Sequence, residues 1–511
     1  MTAGGFSLDL GARWLGDGRT RFRVWAPDRR AVDVALEARD GARDGLRFLP
    51  LARAAGGYFE GVHPARPGDL YKLRLDGGDA FPDPAARFLP QGPHGPAEII
   101  DPGAFRWTDA AWPGPALKGQ VLYEVHVGAY TQAGTYAALA LELPRLRELG
   151  VTCLELMPVH TFPGRFNWGY DSVGLYAPCA PYGRPDDLRH LVDQAHRLGL
   201  GIILDVVYNH LGPDGNYLGQ FSPRYFSQRH RTDWGDPPDF EEPEARRFFV
   251  ENAAYWIAEF HLDGLRIDAT QDFRDDSRRH VLAELAARAR EAAGGKRLLI
   301  VAENEPQDLS MVLPEPGGGT GCDALWVDDF HHSARVAASG ASEGYCQDYL
   351  GTANELLACA LRNALFQGQW YAWQKKRRGT PLWKAPPERV VFFLQNHDQV
   401  ANQLQGQRLH QAAGEHRARA LTTLLLLLPQ TPMLFMGQEF FASSPFLFFA
   451  DHQGPLAEAV QKGRETFLSQ FPAARDAIQR EGAHPPGGEA AFRRSRVDLS
   501  ERDLEGHAGP L

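Results

Sequence analysis

The sequence predicts an α/β protein in which a (β/α)8 barrel follows a small N-terminal β-sandwich. Eight short apolar runs recur between longer helical patterns after residue 120. Strands that alternate with helices form parallel βαβ units, and eight such units can close into a barrel. No glycine-rich nucleotide loop directly follows any of these runs, which argues against an open doubly wound sheet. Residues 1–110 instead contain short alternating segments separated by Gly, Pro and Asp, which is typical of an antiparallel sandwich.

The chain divides into three predicted regions. Residues 1–110 form the sandwich, residues 111–455 form the barrel, and residues 456–511 form a helical tail. The eight predicted barrel strands are Val121–Val127, Val151–Met157, Gly201–Val207, Gly264–Ala269, Leu298–Glu303, Ala324–Asp328, Val390–Gln395 and Met433–Met436. In the tail, helices are predicted at Leu456–Leu468 and Ala473–Arg480, whereas residues 482–511 are charged, rich in glycine and weakly periodic.

Composition excludes several classes of protein. The 511 residues carry a formal net charge of −10 and no block of Lys and Arg, so no nucleic-acid partner is expected and a neutral substrate fits better. Five scattered cysteines are typical of reduced thiols in a cytoplasmic protein. The N-terminus shows no secretory signal, and Pro429 and Pro432 interrupt the longest apolar stretch, so no membrane span is expected. No pattern defines an oligomeric state.

The stretch 261–272, HLDGLRIDATQD, carries charge at the end of a buried strand, where an apolar core should continue. Residues two apart in a strand share a face, so Arg266 and Asp268 point the same way. In an enclosed cleft, the guanidinium would keep Asp268 ionised and available as a nucleophile. A buried ion pair that only stabilises the strand end is the structural alternative.

Other predicted strands also end in polar residues, and in this fold the chemistry occurs where strands end. The third strand ends in DVVYNH at 205–210, the fifth in Glu303 and the seventh in NHD at 396–398. Helix capping or surface ion pairing explains any one of these groups, but it does not readily explain all of them together.

The set Asp268, Glu303 and Asp398 matches the needs of retaining glycoside hydrolysis, in which two carboxyl groups stand about 5 to 5.5 Å apart. Asp268 is the candidate nucleophile. Glu303 follows an apolar run, and a less polar setting would raise its pKa towards that of an acid catalyst. Asp398 and His397 would hold sugar hydroxyls and support positive charge at the ring.

Four blocks resemble the α-amylase family, glycoside hydrolase family 13. They are DVVYNH at 205–210, GLRIDA at 264–269, VAE at 301–303 and QNHD at 395–398. The resemblance implies that Asp268 is the nucleophile, Glu303 the acid/base and Asp398 the transition-state stabiliser. It also implies a shell around the first sugar, formed by Asp205, His210, Arg266 and His397. Tyr170, in NWGYD at 167–171, matches the aromatic residue on which that sugar stacks, and loop packing is the alternative for Tyr170 and Trp168.

The implied mechanism needs no cofactor and no metal, because carboxylates and imidazoles supply the charge. Some relatives hold calcium near the Asn of the third-strand block, which is Asn209 in this sequence. Too few oxygen-rich neighbours surround Asn209 in the sequence to predict a calcium site.

Five further segments resemble the maltooligosyltrehalose trehalohydrolases over essentially the whole chain. They are FPDPAARFLP at 81–90, YEVHVG at 123–128, YGRP at 182–185, WVDDFHH at 326–332 and GQEFFASSPF at 437–446. This resemblance implies a carbohydrate-binding-like sandwich and cleavage of the α-1,4 bond next to a terminal trehalose, with maltooligosyltrehalose or a related α-glucan as partner. A debranching or branching enzyme of the same family is the first alternative. A non-catalytic glucan-binding protein is the second, and the complete catalytic trio argues against it.

Selectivity for trehalose has to come from the leaving-group side, because trehalose has no free reducing end. The candidate residues follow strands six, seven and eight: Asp329, Phe330, His332, Gln399, Asn402 and Glu439. Ordinary loop structure is the alternative for each of them.

Two features depart from the family pattern. The tail shows no further strand pattern, so the usual C-terminal β-domain is expected to be missing and the eighth barrel helix to be incomplete. Asn304 and Glu305 stand where another acidic or basic pair is expected, so the surroundings of Glu303 should differ from those in relatives.

Overall fold

The computed structural model describes residues 6–37, 45–232, 234–403, 405–481 and 485–503. Its N-terminal strands are β1 (Gly11–Trp14), β2 (Arg19–Trp25), β3 (Val32–Glu37), β4 (Arg47–Arg53), β5 (Tyr58–Pro64), β6 (Leu70–Leu75), β7 (Ala80–Phe81) and β8 (Ala97–Glu98). All pairings between them are antiparallel. Strand β4 pairs with β3 through residues 47–51 and with β5 through residues 52–53, and so joins the two halves of the sandwich. The predicted sandwich is confirmed.

Eight parallel strands close into the predicted barrel. They are β9 (Leu122–Val125), β10 (Cys153–Leu156), β13 (Gly201–Val206), β14 (Gly264–Ile267), β15 (Leu299–Glu303), β16 (Ala324–Trp326), β19 (Val390–Phe393) and β20 (Thr431–Phe435), in that order around the barrel. Two antiparallel pairs lie in the connections: β11 (His160–Thr161) with β12 (Gly174–Pro178), and β17 (Gln369–Tyr371) with β18 (Lys376–Arg378). Each predicted run overlaps a strand; seven strands lie within their run, and the eighth begins two residues before its run, at Thr431.

Helices connect and surround these strands. They are α1 (Val127–Tyr130), α2 (Tyr136–Leu149), α3 (Pro185–Arg197), α4 (Leu218–Phe221), α5 (Pro243–Glu259), α6 (Val281–Ala292), α7 (Asp329–Ser339), α8 (Ala353–Arg362), α9 (His397–Ala401), α10 (Leu409–Ala413), α11 (Glu415–Leu427), α12 (Gly454–Leu468), α13 (Pro472–Glu481) and α14 (Glu489–Ser495). Helix α2 shows why they start and stop where they do: the Thr135 hydroxyl accepts a hydrogen bond from the N–H of Ala138, and Gly150 ends the helix with a φ of 100°. Among the helices described, none has the length and apolar character needed to cross a membrane.

The part of the barrel interior that lies away from the C-terminal ends of the strands is apolar. The part near those ends is charged. The inward-facing apolar cluster comprises Leu122, Cys153, Ile203, Leu299, Val301, Ala324, Trp326, Val391, Phe393 and Met433. Side chains alternate along a strand, so the residue two positions further on also faces inward. Those residues are Glu124 after Leu122, Glu155 after Cys153, Asp205 after Ile203 and Glu303 after Val301. The charged residues at the strand ends therefore form the layer of the barrel interior that lies nearest the C-terminal face.

The tail returns to the barrel. Helices α12 and α13 agree with the two predicted helices, whereas α14 lies in the weakly periodic segment and was not predicted. Phe492 on α14 is buried and stacks on Phe166, with 5.1 Å between ring centroids and 6° between ring planes. The N–H of Leu447 donates to the hydroxyl of Ser495 at 2.9 Å. Helix α14 thus packs on the loops that follow the second and eighth barrel strands.

A buried ion pair links the sandwich to the barrel. Arg87 lies between β7 and β8, and its Nη2 is 2.8 Å from Oε1 of Glu259 on α5. The two side chains are 5% and 9% exposed, so water screens this pair weakly. Arg87 also donates to the carbonyl of Ala12 at 2.8 Å and so fixes the first strand of the sandwich to the same point.

Candidate active site

Arg266 is the centre of the charged layer. Its side chain on β14 is fully buried and contacts carboxylates on three sides: Nη1 is 2.7 Å from Asp205 and 2.9 Å from Asp268, and Nη2 is 2.7 Å from Glu303. Its guanidinium carbon lies 4.2 Å from the centroid of the Trp326 ring, which supports it from below. One cation therefore organises the ends of three neighbouring strands.

Asp268 has one oxygen on Arg266 and the other on Asn209, whose Nδ2 donates to it at 2.8 Å. The side chain is 13% exposed. Burial raises the pKa of Asp268 above its ordinary value, and the charge of Arg266 and the hydrogen bond from Asn209 oppose that effect. Both opposing contacts stabilise the ionised form that a nucleophile needs.

Glu303 lies beside Asp268 at the end of β15. The backbone N–H of Ala269 donates to Oε2 of Glu303 at 2.9 Å, and the hydroxyl of Thr270 donates to the Glu303 carbonyl at 2.6 Å. Burial raises the pKa of Glu303 to about 7, despite the nearby charge of Arg266. A carboxyl group with this pKa can serve as a general acid near neutral pH.

Asp398 occupies the first turn of α9, after the seventh barrel strand. Asn396 caps that helix, because its Oδ1 accepts a hydrogen bond from the N–H of Gln399 at 2.8 Å. The side chain of Asp398 is 45% exposed, and its Oδ2 lies 3.6 Å from Nε2 of the buried His397. The most open carboxylate of the trio thus sits beside an imidazole.

An aromatic wall lines one side of the carboxylates. The hydroxyl of Tyr170 donates to Asp205 at 2.6 Å, and the Tyr170 ring stacks on His397 with 5.0 Å between centroids. Trp168 is buried, stacks on Phe446 and donates from Nε1 to the carbonyl of Leu447 at 2.9 Å. Trp168 therefore supports the wall, while the ring of Tyr170 lies beside the carboxylates.

His210 is held at the same rim. Its Nε2 lies 3.0 Å from the carbonyl oxygen of Tyr170, and its ring stacks on Trp234 with 4.7 Å between centroids. Trp234 is 55% exposed, although it is a large apolar residue. Trp234 was not predicted from the sequence, because it lies in a loop that contains none of the recognised motifs.

The structure corrects four of the predicted leaving-group residues. Phe330 is fully buried and stacks on Phe392, with 4.7 Å between centroids, so it belongs to the core. Asp329 is fully buried and accepts hydrogen bonds from the N–H groups of residues 365 and 366 at 2.7 and 2.8 Å.

The other two corrected residues are also buried. His332 is 2% exposed and contacts Asp328. Glu439 is 6% exposed and accepts a hydrogen bond from the hydroxyl of Tyr123. Helix α7 begins at Asp329, and its first turn joins the barrel wall instead of the cleft rim.

Gln399 and Asn402 remain beside the cleft. Both are partly exposed and lie at the helix that carries Asp398. Gln399 accepts a hydrogen bond from the hydroxyl of Tyr345 at 3.0 Å, and Asn402 accepts one from Nη1 of Arg464 at 3.0 Å. Their role in binding the leaving group stays a prediction.

The two residues after Glu303 have different partners. Asn304 is buried and donates to the hydroxyl of Thr270 at 3.0 Å, which in turn donates to the Glu303 carbonyl. Glu305 points away and pairs with Arg378 on β18 at 3.2 Å. Asn304 thus supports the backbone of Glu303, while Glu305 contacts the β17–β18 hairpin through Arg378.

One group of metal-ligand type occurs among the residues that the structure describes. It consists of His230, Glu241 and Asp276, and the two carboxylates are exposed. Arg229 already pairs with both of them.

Comparison with known proteins identifies the family. The carbohydrate-binding module 48 family, which is the isoamylase N-terminal domain, matches residues 9–102, and the alpha amylase catalytic domain family matches residues 119–235. A malto-oligosyltrehalose trehalohydrolase of Deinococcus radiodurans is 44% identical over 509 residues, which cover 98% of this chain and 81% of that protein. The chain belongs to the malto-oligosyltrehalose trehalohydrolase family. A member from Saccharolobus solfataricus is 38% identical, with 88% of this chain and 78% of that protein covered.

Solved structures share the fold of this chain. A crystal structure of a putative alpha amylase from Salmonella typhimurium superposes with a TM-score of 0.90 at 36% identity, and the match covers 98% of this chain and 84% of that one. A type I pullulanase from Bacillus subtilis superposes with a TM-score of 0.67 at 21% identity, with 96% of this chain and 74% of that one covered, and shares the fold.

Proposed function

We propose that the chain is a retaining glycoside hydrolase that cleaves the α-1,4 bond next to the terminal trehalose of maltooligosyltrehalose and releases trehalose. The observation that carries the chemistry is the placement of Asp268 and Glu303 on a single guanidinium, that of Arg266, at 2.9 and 2.7 Å. Contact with one shared group favours the close carboxyl spacing of retaining enzymes, about 5 to 5.5 Å, over the wider spacing of inverting ones. The printed names of the family members support the choice of substrate.

The proposed mechanism has two steps. Asp268 attacks the anomeric carbon while Glu303 gives its proton to the glycosidic oxygen, so trehalose leaves with its hydroxyl restored and a glycosyl ester forms on Asp268. Glu303, now ionised, removes a proton from water, which attacks the same carbon and releases Asp268. Asp398 and His397 hold hydroxyls of the sugar between them. Tyr170 provides the face on which that sugar stacks.

A branching or debranching enzyme is the alternative. A 1,4-alpha-glucan branching enzyme from Streptomyces coelicolor is 38% identical over 269 residues, which cover 49% of this chain and 36% of that protein. The Deinococcus radiodurans trehalohydrolase matches 98% of the chain, twice the share that the branching enzyme matches, which favours the first function.

One incubation series separates the candidates. The protein is incubated with maltooligosyltrehalose, with plain maltooligosaccharide and with a branched glucan, and products are identified by chromatography. We expect rapid release of trehalose from the first substrate. Products formed mainly from the branched glucan would favour the alternative, and binding without any product would favour a non-catalytic glucan-binding protein.

We also propose a cytoplasmic location. All five cysteines are free and buried, which supports a reducing compartment. Measurement of the protein in cell fractions tests this proposal, and recovery in a secreted fraction would contradict it.

A further inference from the structure

Glu124 lies beneath the site on the first barrel strand, β9, and has no role in the mechanism above. Its carboxylate contacts His397 twice: Oε1 lies 2.5 Å from Nδ1 of the imidazole, and Oε2 accepts a hydrogen bond from the backbone N–H at 3.0 Å. The two side chains are 1% and 2% exposed. One carboxylate therefore fixes both the ring and the main chain of His397.

A carboxylate can only accept hydrogen bonds, so contact of an ionised Glu124 with Nδ1 of His397 places a proton on that nitrogen. The other ring nitrogen, Nε2, faces Asp398 at 3.6 Å. The titratable and charged groups around the imidazole are Glu124 on β9, His126 after β9, Glu155 on β10, Tyr170 on the aromatic wall, Asp205 on β13, Arg266 on β14 and Asp398 on α9. Burial and Arg266 lower the pKa of His397, but Glu124 and Asp398 outweigh them and raise it to about 9.

A second buried carboxyl group, that of Glu155, lies next to Glu124, and its surroundings indicate which of the two carries the negative charge. It stands directly opposite Glu124 in the parallel register of β9 and β10, and it is fully buried. Neither of its oxygens has a hydrogen-bond partner among the residues described. Burial raises the pKa of Glu155 well above its ordinary value, and the charge of Glu124 adds to this. Two adjacent carboxylates in a closed interior repel each other, so Glu155 is the neutral one and Glu124 the ionised one.

We propose that Glu124 is a positioning residue that keeps His397 doubly protonated and aims its Nε2–H at a hydroxyl of the sugar beside Asp398. The proposal rests on the proposed placement of His397 at that sugar. An imidazolium donates a stronger, charge-assisted hydrogen bond than a neutral ring.

NMR titration tests the proposal without substrate. Protein labelled at Cε1 of histidine is titrated, and His397→Gln assigns the resonance. We expect His397 to titrate above about pH 8 in the unchanged protein and below about pH 7 in Glu124→Gln, which keeps the shape of the side chain but removes its charge. Titration of His397 below about pH 7 in the unchanged protein would overturn the proposal, whether or not the variant folds.

Kinetics give an independent readout. In Glu124→Gln, kcat/KM should fall roughly 10- to 100-fold at about pH 8, and the loss should shrink towards lower pH, because acid restores the missing proton. Glu124→Asp retains the charge and should keep the high pKa of His397. A loss that is the same at every pH, with an unchanged pKa of His397, would overturn the proposal.

Glu155→Gln is the matched control. It replaces a neutral acid with a neutral amide of the same shape, so the pKa of His397 should stay in place and kcat/KM should change by no more than about twofold. A large fall in the pKa of His397 in Glu155→Gln would overturn the assignment of the charge to Glu124. Failure of the unchanged protein to release trehalose, with His397 titrating as expected, would contradict the proposed function and not the role of Glu124.

Discussion

The backbone N–H of Ala269 donates a hydrogen bond to Oε2 of Glu303 at 2.9 Å. Ala269 directly follows Asp268 and has a φ of 42°, a left-handed conformation that is uncommon for a residue other than glycine. Arg266 contacts the same oxygen of Glu303 at 2.7 Å. Because the Ala269 N–H and the positive charge of Arg266 both lie at Oε2, we infer that the proton of Glu303 is carried by Oε1. The turn that follows Asp268 thus also orients the carboxyl group of Glu303.

The raised pKa of Glu303 predicts the alkaline side of the pH profile. An acid catalyst has to be protonated, and burial raises the pKa of Glu303 to about 7. We therefore expect kcat/KM for maltooligosyltrehalose to fall as the pH rises through about 7. Initial rates measured over roughly pH 5 to 9 check this, with Glu305→Gln as the control that should leave the profile in place. Activity that keeps rising up to about pH 9 would contradict it.

Substitution of Arg266 should harm both activity and stability. Arg266→Lys keeps the charge but cannot contact Asp205, Asp268 and Glu303 together, because an ammonium lacks the planar fork of a guanidinium. We expect kcat to fall by about 100-fold or more and the free energy of unfolding to fall by at least about 2 kcal/mol. Enzyme kinetics and denaturant titration measure these effects.

Arg279→Lys provides the matched control for Arg266. Arg279 also makes a two-pronged contact with a carboxylate, that of Glu315, but the two side chains are 46% and 45% exposed. Surface ion pairs contribute little, so this variant should change the free energy of unfolding by less than about 0.5 kcal/mol. Equal effects of the two substitutions would contradict a special role of Arg266.

Helix α14 should contribute to the stability of the barrel. Phe492→Ala removes a buried ring that stacks on Phe166, and the loss should be about 3 kcal/mol. Phe467→Ala is the control, because Phe467 is 39% exposed on α12, and it should cost less than about 1 kcal/mol. Thermal unfolding compares the two variants, and an equal shift in Tm would contradict the packing described for α14.

The barrel and the placement of three carboxyl residues at one end of it could be predicted because each depends on local order along the chain. Asp268, Glu303 and Asp398 each follow an apolar run, and parallel strands bring their ends to one face. The leaving-group residues could not be predicted in this way. Whether Phe330 faces the cleft or the core depends on the exact residue at which α7 begins, and sequence patterns define helix starts poorly.

Contacts between residues that are far apart in the sequence could not be predicted either. Glu124 and His397 are 273 positions apart, and only folding shows that they touch. A signal was present, since Glu124 is a charged residue inside an otherwise apolar strand. Helix α14 gave a weaker signal, because Phe492 is the only large apolar residue of its seven.

The central claim is that Asp268 is the nucleophile, and turnover of Asp268→Asn with maltooligosyltrehalose tests it most directly. Asparagine keeps the shape of the side chain and can still accept one of its two hydrogen bonds through Oδ1, but it cannot form the glycosyl ester. Asp276→Asn is the control, because that side chain is 73% exposed on the surface. We expect trehalose release by Asp268→Asn to fall by a factor on the order of ten thousand or more, with the control unchanged. Undiminished release by Asp268→Asn would contradict the account.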